Sequence, residues 1–209
     1  MFPRRVLVLL VAVLLAAPMG AALVSQSSAA VNNPAPGTET LALIEAINAY
    51  RGTQGLPAIP VSPELTAVAV AHVRDLAAWF ASDPNYTGTD CAPHGWSSHG
   101  NWTGGCYKFA DSSTWPIMWN KPKEIANYPG QGFEILAETM GTPMTAATAL
   151  KLWAADPPHN DVIVNQGIWK DMTWQAMGVW VEGGWASVWF GAQPDPTPAG
   201  ATTGAAPAQ

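Results

Sequence analysis

Between Trp174 and Gly191 the chain carries the pattern of a β-hairpin. Met177, Val179 and Val181 alternate with Gly178, Trp180 and Glu182. Ala186, Val188 and Phe190 alternate in a second run that opens at Trp185. A period of two predicts strands, because successive side chains of a strand point to opposite faces. Glu182-Gly183-Gly184 supplies the turn between them. Carboxylates and a histidine stand just upstream, in Gly132–Glu138 and Trp153–His159. Most other candidate ligands fall in one earlier loop, Asp90–Cys106. The expectation is one domain that brings these two regions together over a cleft.

The segments before the hairpin read mainly as helices. Leu41, Ile44, Ile47 and Tyr50 recur at three-residue spacing and predict a helix over Glu39–Arg51, stopped by Gly52. Ser62-Pro63-Glu64 is a helix start, with Ser as N-cap, Pro at the first helical position and an acid in the first turn. Leu65, Val68, Ala69, His72, Leu76 and Trp79 form its stripe. His72 on that stripe reads as a hydrogen-bonded core histidine. Thr142-Pro143 repeats the start signal and predicts a helix through Met144, Ala147, Leu150 and Trp153, ended by Pro157-Pro158. If Glu134–Glu138 were also helical, the two glutamates would share a face; Glu138 reads as a solvated or supporting residue.

Asp83–Gly130 reads as a long irregular segment, and a loop of that length in a domain is usually functional. It holds His94 and His99 and two acceptor patterns for N-glycosylation, Asn85-Tyr86-Thr87 and Asn101-Trp102-Thr103. Trp96, Trp102, Trp115 and Trp119 flank the histidines. They either floor a groove for a sugar, sterol or lipid or pack the loop onto the sheet, and packing is the preferred reading.

Residues 1–30 have the layout of a secretory signal: Arg4 and Arg5, an apolar run Val6–Ala17, then small residues up to Ser28-Ala29-Ala30. Cleavage before Val31 is preferred. Gly20-Ala21-Ala22 is a second site, and an uncleaved anchor reaching Val24 is the competing reading. Residues 31–38 read as a linker and 193–209 as a flexible Pro/Ala/Gly tail. The remaining 39–192 suits one domain with a sizeable core. Export places Cys91 and Cys106 in an oxidising compartment, where one disulfide is expected; free thiols or metal thiolates are the alternative. Without residues 1–30 seven basic residues face fifteen acidic ones, a net charge of −8. That balance argues against nucleic acid and anionic membrane as partners, since phosphate binding needs clustered Lys and Arg.

In this order the motifs resemble the CAP superfamily: cysteine-rich secretory proteins, antigen 5 and pathogenesis-related proteins, also called SCP-like. Gly55-Leu56-Pro57 with Val61–Leu65 is similar to the family's opening. Glu134-Ile135-Leu136-Ala137 resembles its Gly-Glu-Asn-Leu/Ile-Ala motif. Trp153 followed by Pro158-His159-Asn160 resembles its Trp-x-x-Ser-Pro-Gly-His-Arg region, and Met177-Gly178-Val179 its Val-Gly-Val strand. The resemblance spans about Thr40 to Gly191. It implies an α+β fold, a three-layer α-β-α sandwich with a central, mostly antiparallel sheet. It also implies a cleft with two histidines and two acids: His94, Glu134, Asp156 and His159. His99 is the alternative first histidine. Asp156 is shorter than the family's glutamate, and Glu134 lacks the flanking Gly and Asn.

Two imidazoles with carboxylates suit Zn²⁺ or another divalent cation, and an open coordination position would activate water. No His-Glu-x-x-His and no Gly-x-Ser-x-Gly elbow is present. The resemblance therefore implies a secreted module that binds an extracellular protein, lipid or glycan. A metal-assisted hydrolase of peptide or cell-wall material is one alternative, and sterol or lipid binding another.

Overall fold

The computed structural model describes residues 33–196. The segment read as a secretory signal and most of the segment read as a tail lie outside the described residues. Helix α1 (Thr38–Thr53) and helix α2 (Pro63–Trp79) come first. The next segment, read as irregular, is instead organised into six short elements: α3 (Pro84–Thr87), β1 (Ala92–Trp96), β2 (Gly105–Tyr107), a 3-10 turn (Ser112–Thr114), α4 (Pro116–Trp119) and α5 (Lys121–Ala126). Then follow β3 (Gly132–Glu138), α6 (Ala146–Ala155), α7 (Pro157–Ile163), β4 (Ala176–Glu182) and β5 (Trp185–Gly191).

The main sheet has the order β3-β5-β4, and both of its ladders are antiparallel. One isolated parallel bridge, Val61 to Met177, adds to it beside the start of α2. Strand alternation then builds two cores. Ala186, Val188 and Phe190 face Leu43 and Ile47 of α1 and Ala149 and Trp153 of α6. Trp185 and Trp189 face Leu65, Val68, Ala69 and Leu76 of α2. Every residue of β5 is buried, as expected of a central strand covered on both sides. The architecture is α+β, a three-layer α-β-α sandwich.

Two local starts follow the expected chemistry. The Ser62 hydroxyl accepts from Leu65 N–H at 2.9 Å and caps α2, with Pro63 in its first turn. Gly183, at φ +59°, makes the β4–β5 turn. Thr142-Pro143, by contrast, does not open α6. Thr145 caps it, accepting from Thr148 N–H at 3.1 Å, and Ala146 N–H is held by the Glu39 carboxylate of α1 at 2.7 Å. The buried face shifts by one residue from Ala147 to Ala146, with Ala149 and Trp153. Pro157-Pro158 ends α6 and also begins α7, because proline is suited to a first helical turn. Gly132–Glu138 is a strand, so Glu134 and Glu138 share a sheet face, about 13 Å apart along the strand.

Cys91 and Cys106 form a disulfide with Cα atoms 5.3 Å apart, closing the β1–β2 ribbon. Reduction is expected to cost about 3 kcal/mol for a loop of this length. Thermal unfolding with and without reductant measures it, and an unchanged midpoint would show that the ribbon is held by packing alone.

Candidate functional site

Strand β3 is an edge strand, and a cleft of about 400 Å³ runs along it. The β1–β2 ribbon and α4 form one wall. Helix α7 and the turn Gly167–Trp169 form the other. The polar end carries His94, Glu134 and His159, with Asp161 nearby in the lining.

Glu134 is the anchor. Its side chain is fully buried and has three partners. Oε1 accepts from Ser187 Oγ at 2.6 Å and meets His72 Nδ1 at 2.7 Å; Oε2 meets His94 Nδ1 at 3.0 Å. Burial alone would push this carboxyl up. The charge and hydrogen bonds of His72, then those of His94, outweigh it and hold the group down at about 2. Glu134 is therefore an ionised acceptor with both oxygens committed.

His94 comes from β1, and its ring meets Tyr107 and Phe109 edge-on at 5.4 and 5.7 Å. His159 comes from α7, which α1 ties down. Arg51 donates to the Ile163 carbonyl at 2.5 Å and to Asn165 at 2.7 Å, and Tyr50 donates to Asn160 at 2.8 Å. The Asp156 carboxylate, one turn earlier, pairs with His159 Nδ1. Burial lowers the His159 pKa, Asp156 opposes that, and His94 across the cleft lowers it further. His94 and His159 thus each turn Nδ1 to a carboxylate. This leaves Nε2 of each uncommitted among the described residues.

Of the residues read as ligands, His94, Glu134 and His159 line the cleft, while Asp156 stands behind His159, half-exposed. His99 lies in a different groove, stacked on Trp79 at 3.7 Å and facing Asp83. Glu138 sits at the other end of β3, opposite Trp185. Among the described residues no three His, Cys, Asp or Glu side chains converge closely enough to hold one ion. The donor chemistry explains this. Glu134 spends its oxygens on His72, Ser187 and His94, and Asp156 orients His159, so of the residues read as ligands two imidazole nitrogens remain as donors. That set does not fit a four-ligand site, and it falls one donor short of the three protein ligands of a catalytic zinc site.

The walls are aromatic. Trp119 meets Phe133 edge-on at 5.7 Å, Phe133 meets Trp169 at 4.9 Å, and Trp115 packs beside Trp119 at 5.3 Å. Phe109 and Ile168, on opposite walls, are 66% and 85% exposed, so the lips present apolar surface to water.

The model of the cysteine-rich secretory protein family, CAP, matches residues 44–190, more than two thirds of the chain. The chain belongs to the CAP family. No curated protein matches it. Solved structures to which the chain is similar include two from bacteria. One is an extracellular protein containing an SCP domain from Bacillus anthracis str. Ames, at 14% identity and TM-score 0.49, covering 74% of this chain and 40% of that one. The other is a cysteine-rich secretory protein from Staphylococcus aureus subsp. aureus Mu50, at 13% identity and TM-score 0.47, covering 74% and 39%. This chain spans about two fifths of the length of those two.

Within this CAP domain the four tryptophans of the loop divide. Trp96 is fully buried and Trp102 packs against it at 5.0 Å, so these two fasten the loop to the sheet. Trp115 and Trp119 line the cleft. Sequence reasoning passed over Ser187, Phe133, Ile168 and Trp169, and it placed His72 in the core without a role. The strand alternation could have found Ser187: it is the small polar residue between Trp185 and Trp189 on the face turned toward α2. No described helix is long and apolar enough to cross a membrane.

Proposed function

We infer that this CAP domain is an extracellular binding module whose cleft takes a ligand with an apolar body and a hydroxyl- or carbonyl-bearing polar end. The observation that supports it is the lining. Aromatic rings wall a space of about 400 Å³, and the polar groups gather at one end around His94 and His159. A mostly apolar pocket with a few convergent polar groups suits a small ligand, the apolar part supplying affinity and the polar end orientation. Sterols and single-chain lipids have this shape. The disulfide supports an extracellular setting.

Titration with a fluorescent sterol and a fluorescent fatty acid, read by energy transfer from the cleft tryptophans, tests the reading. Trp119→Ala and Ile168→Asp are expected to weaken binding at least tenfold, since each removes apolar contact worth roughly 1.5–3 kcal/mol. Saturable binding that both variants leave intact would place the ligand elsewhere, and no binding of either probe would remove the reading.

A divalent cation is a second reading, favoured by the paired orientation of His94 and His159. Glu134 and Asp156 would then hold the two imidazoles from behind, as carboxylates do behind ligating histidines. Zinc titration calorimetry with His94→Ala and His159→Ala tests it; one site lost in both variants supports it. A metal-assisted hydrolase needs a third protein donor, which Glu134 does not have free.

A further inference from the structure

The cleft histidine His94 is held by Glu134, and Glu134 is itself held from beneath. His72 lies inside α2, 0% exposed, with its ring stacked on Trp96 at 4.2 Å and 12° between planes. Its Nδ1 meets Glu134 Oε1 at 2.7 Å, and its Nε2 donates to the Gly95 carbonyl at 2.9 Å. One buried ring therefore grips three parts of the same device. It holds the backbone of the residue after His94, the indole of the next residue, and the carboxylate that bonds the His94 ring.

The ribbon has no slack around these contacts. A Cβ on Gly95 would lie 2.8 Å from the Asn85 carbonyl oxygen and 2.9 Å from that of Gly105. Asn85 also donates to the Trp96 carbonyl at 3.0 Å. The β1 backbone is thus fixed on its outer side by Asn85 and on its inner side by His72.

We propose that His72 is a positioning residue for the cleft: by holding Glu134 and the Gly95 carbonyl together, it fixes His94 with its proton on Nδ1 and its Nε2 lone pair available to a ligand. An ionised carboxylate only accepts, so His94 Nδ1 must donate to Oε2, and neutral imidazole then accepts at Nε2. Ser187, donating to Oε1, leaves Glu134 with no other acceptor surface on that side. Without His72, Glu134 loses a donor and the ribbon loses its inner attachment, so His94 is free to turn and to exchange tautomers. This role rests on His94 being the polar end of the cleft, as proposed above. Its readout needs no ligand, so the two readings fail separately.

The experiment is ¹⁵N NMR of the histidine rings, with His94 assigned through His94→Gln and recorded where His94 is neutral. In the wild type a single Nδ1–H tautomer of His94 is expected. His72→Phe keeps a flat ring against Trp96 and removes both polar contacts; loss of the single-tautomer signature at His94 is expected while the fold, checked by circular dichroism, persists. An unchanged His94 spectrum in folded His72→Phe overturns the proposal. Should that variant not fold, His72→Gln and the wild-type spectrum decide. His94 protonated at Nε2 in the wild type overturns the proposal, and so does an unshifted His94 in folded His72→Gln.

Discussion

Glu134→Ala is expected to lower the free energy of unfolding by about 3–5 kcal/mol, a large share of what holds a domain of this size. The substitution strips the shared partner from three buried groups, His72 Nδ1, His94 Nδ1 and Ser187 Oγ. Each buried polar group left unpaired costs about 1–3 kcal/mol. Glu134→Gln keeps the shape and loses less, but it turns an N–H toward a group that already donates. Chemical denaturation at neutral pH measures both, and a loss under about 1 kcal/mol for Glu134→Ala would show that the cluster is wet or loosely made. The same carboxylate sets a pH dependence. Its folded pKa, about 2, lies below the usual 4.5, so the unfolded chain binds the proton more readily. Stability from this group is therefore complete above pH 4.5 and drains away as pH falls toward 2, by about 3 kcal/mol in all. Denaturation from pH 6 to pH 2 should show Glu134→Gln losing less stability over that interval than the wild type.

Gly178→Ala is expected to cost about 3 kcal/mol or more, or to prevent folding. Gly178 lies in β4 directly beneath α2. A Cβ there would fall 2.0 Å from the Leu65 backbone carbon and 2.3 Å from its carbonyl oxygen. These are backbone atoms of a helix start, and no rotamer change relieves the overlap. The helix would have to lift off the sheet, and α2 carries His72 over Glu134. Gly52→Ala is the control, since nothing lies within 4 Å of a Cβ there, and it is expected to be neutral or slightly stabilising. Melting temperatures of the two variants beside the wild type settle it. A Gly178→Ala protein as stable as Gly52→Ala would mean that the α2–β4 spacing is set by something other than this contact.

The order and type of the main elements were legible in the sequence because each rests on local chemistry. Ser62-Pro63-Glu64 starts α2 by capping, and the Met177–Glu182 and Trp185–Gly191 alternations specify strands whichever way the rest packs. The α6 start was not legible. Thr142-Pro143 and Thr145 offer the same cap chemistry, and the choice falls to Glu39 of α1, 107 residues away, which holds Ala146 N–H. Position 156–158 was ambiguous for a related reason: two prolines stop one helix and suit the start of another equally well.

The site divides along the same line. Sequence by itself determined that the chain had the motifs of its family; that resemblance singled out His94, Glu134, Asp156 and His159, with His99 as the alternative, and export led to the expectation that Cys91 and Cys106 pair. Only the tertiary structure decided what those residues do to one another. It moved His99 to another groove, turned Asp156 into a support for His159, and made the core histidine His72 the underside of the Glu134 cluster. It also separated the tryptophans that fasten the ribbon from those that wall the cleft. The physical reason is that caps, turns and periodicity act within a few residues. The acceptors on Glu134, by contrast, are shared among side chains 40 to 62 residues from it in the chain, and no local pattern records which donor reaches them first.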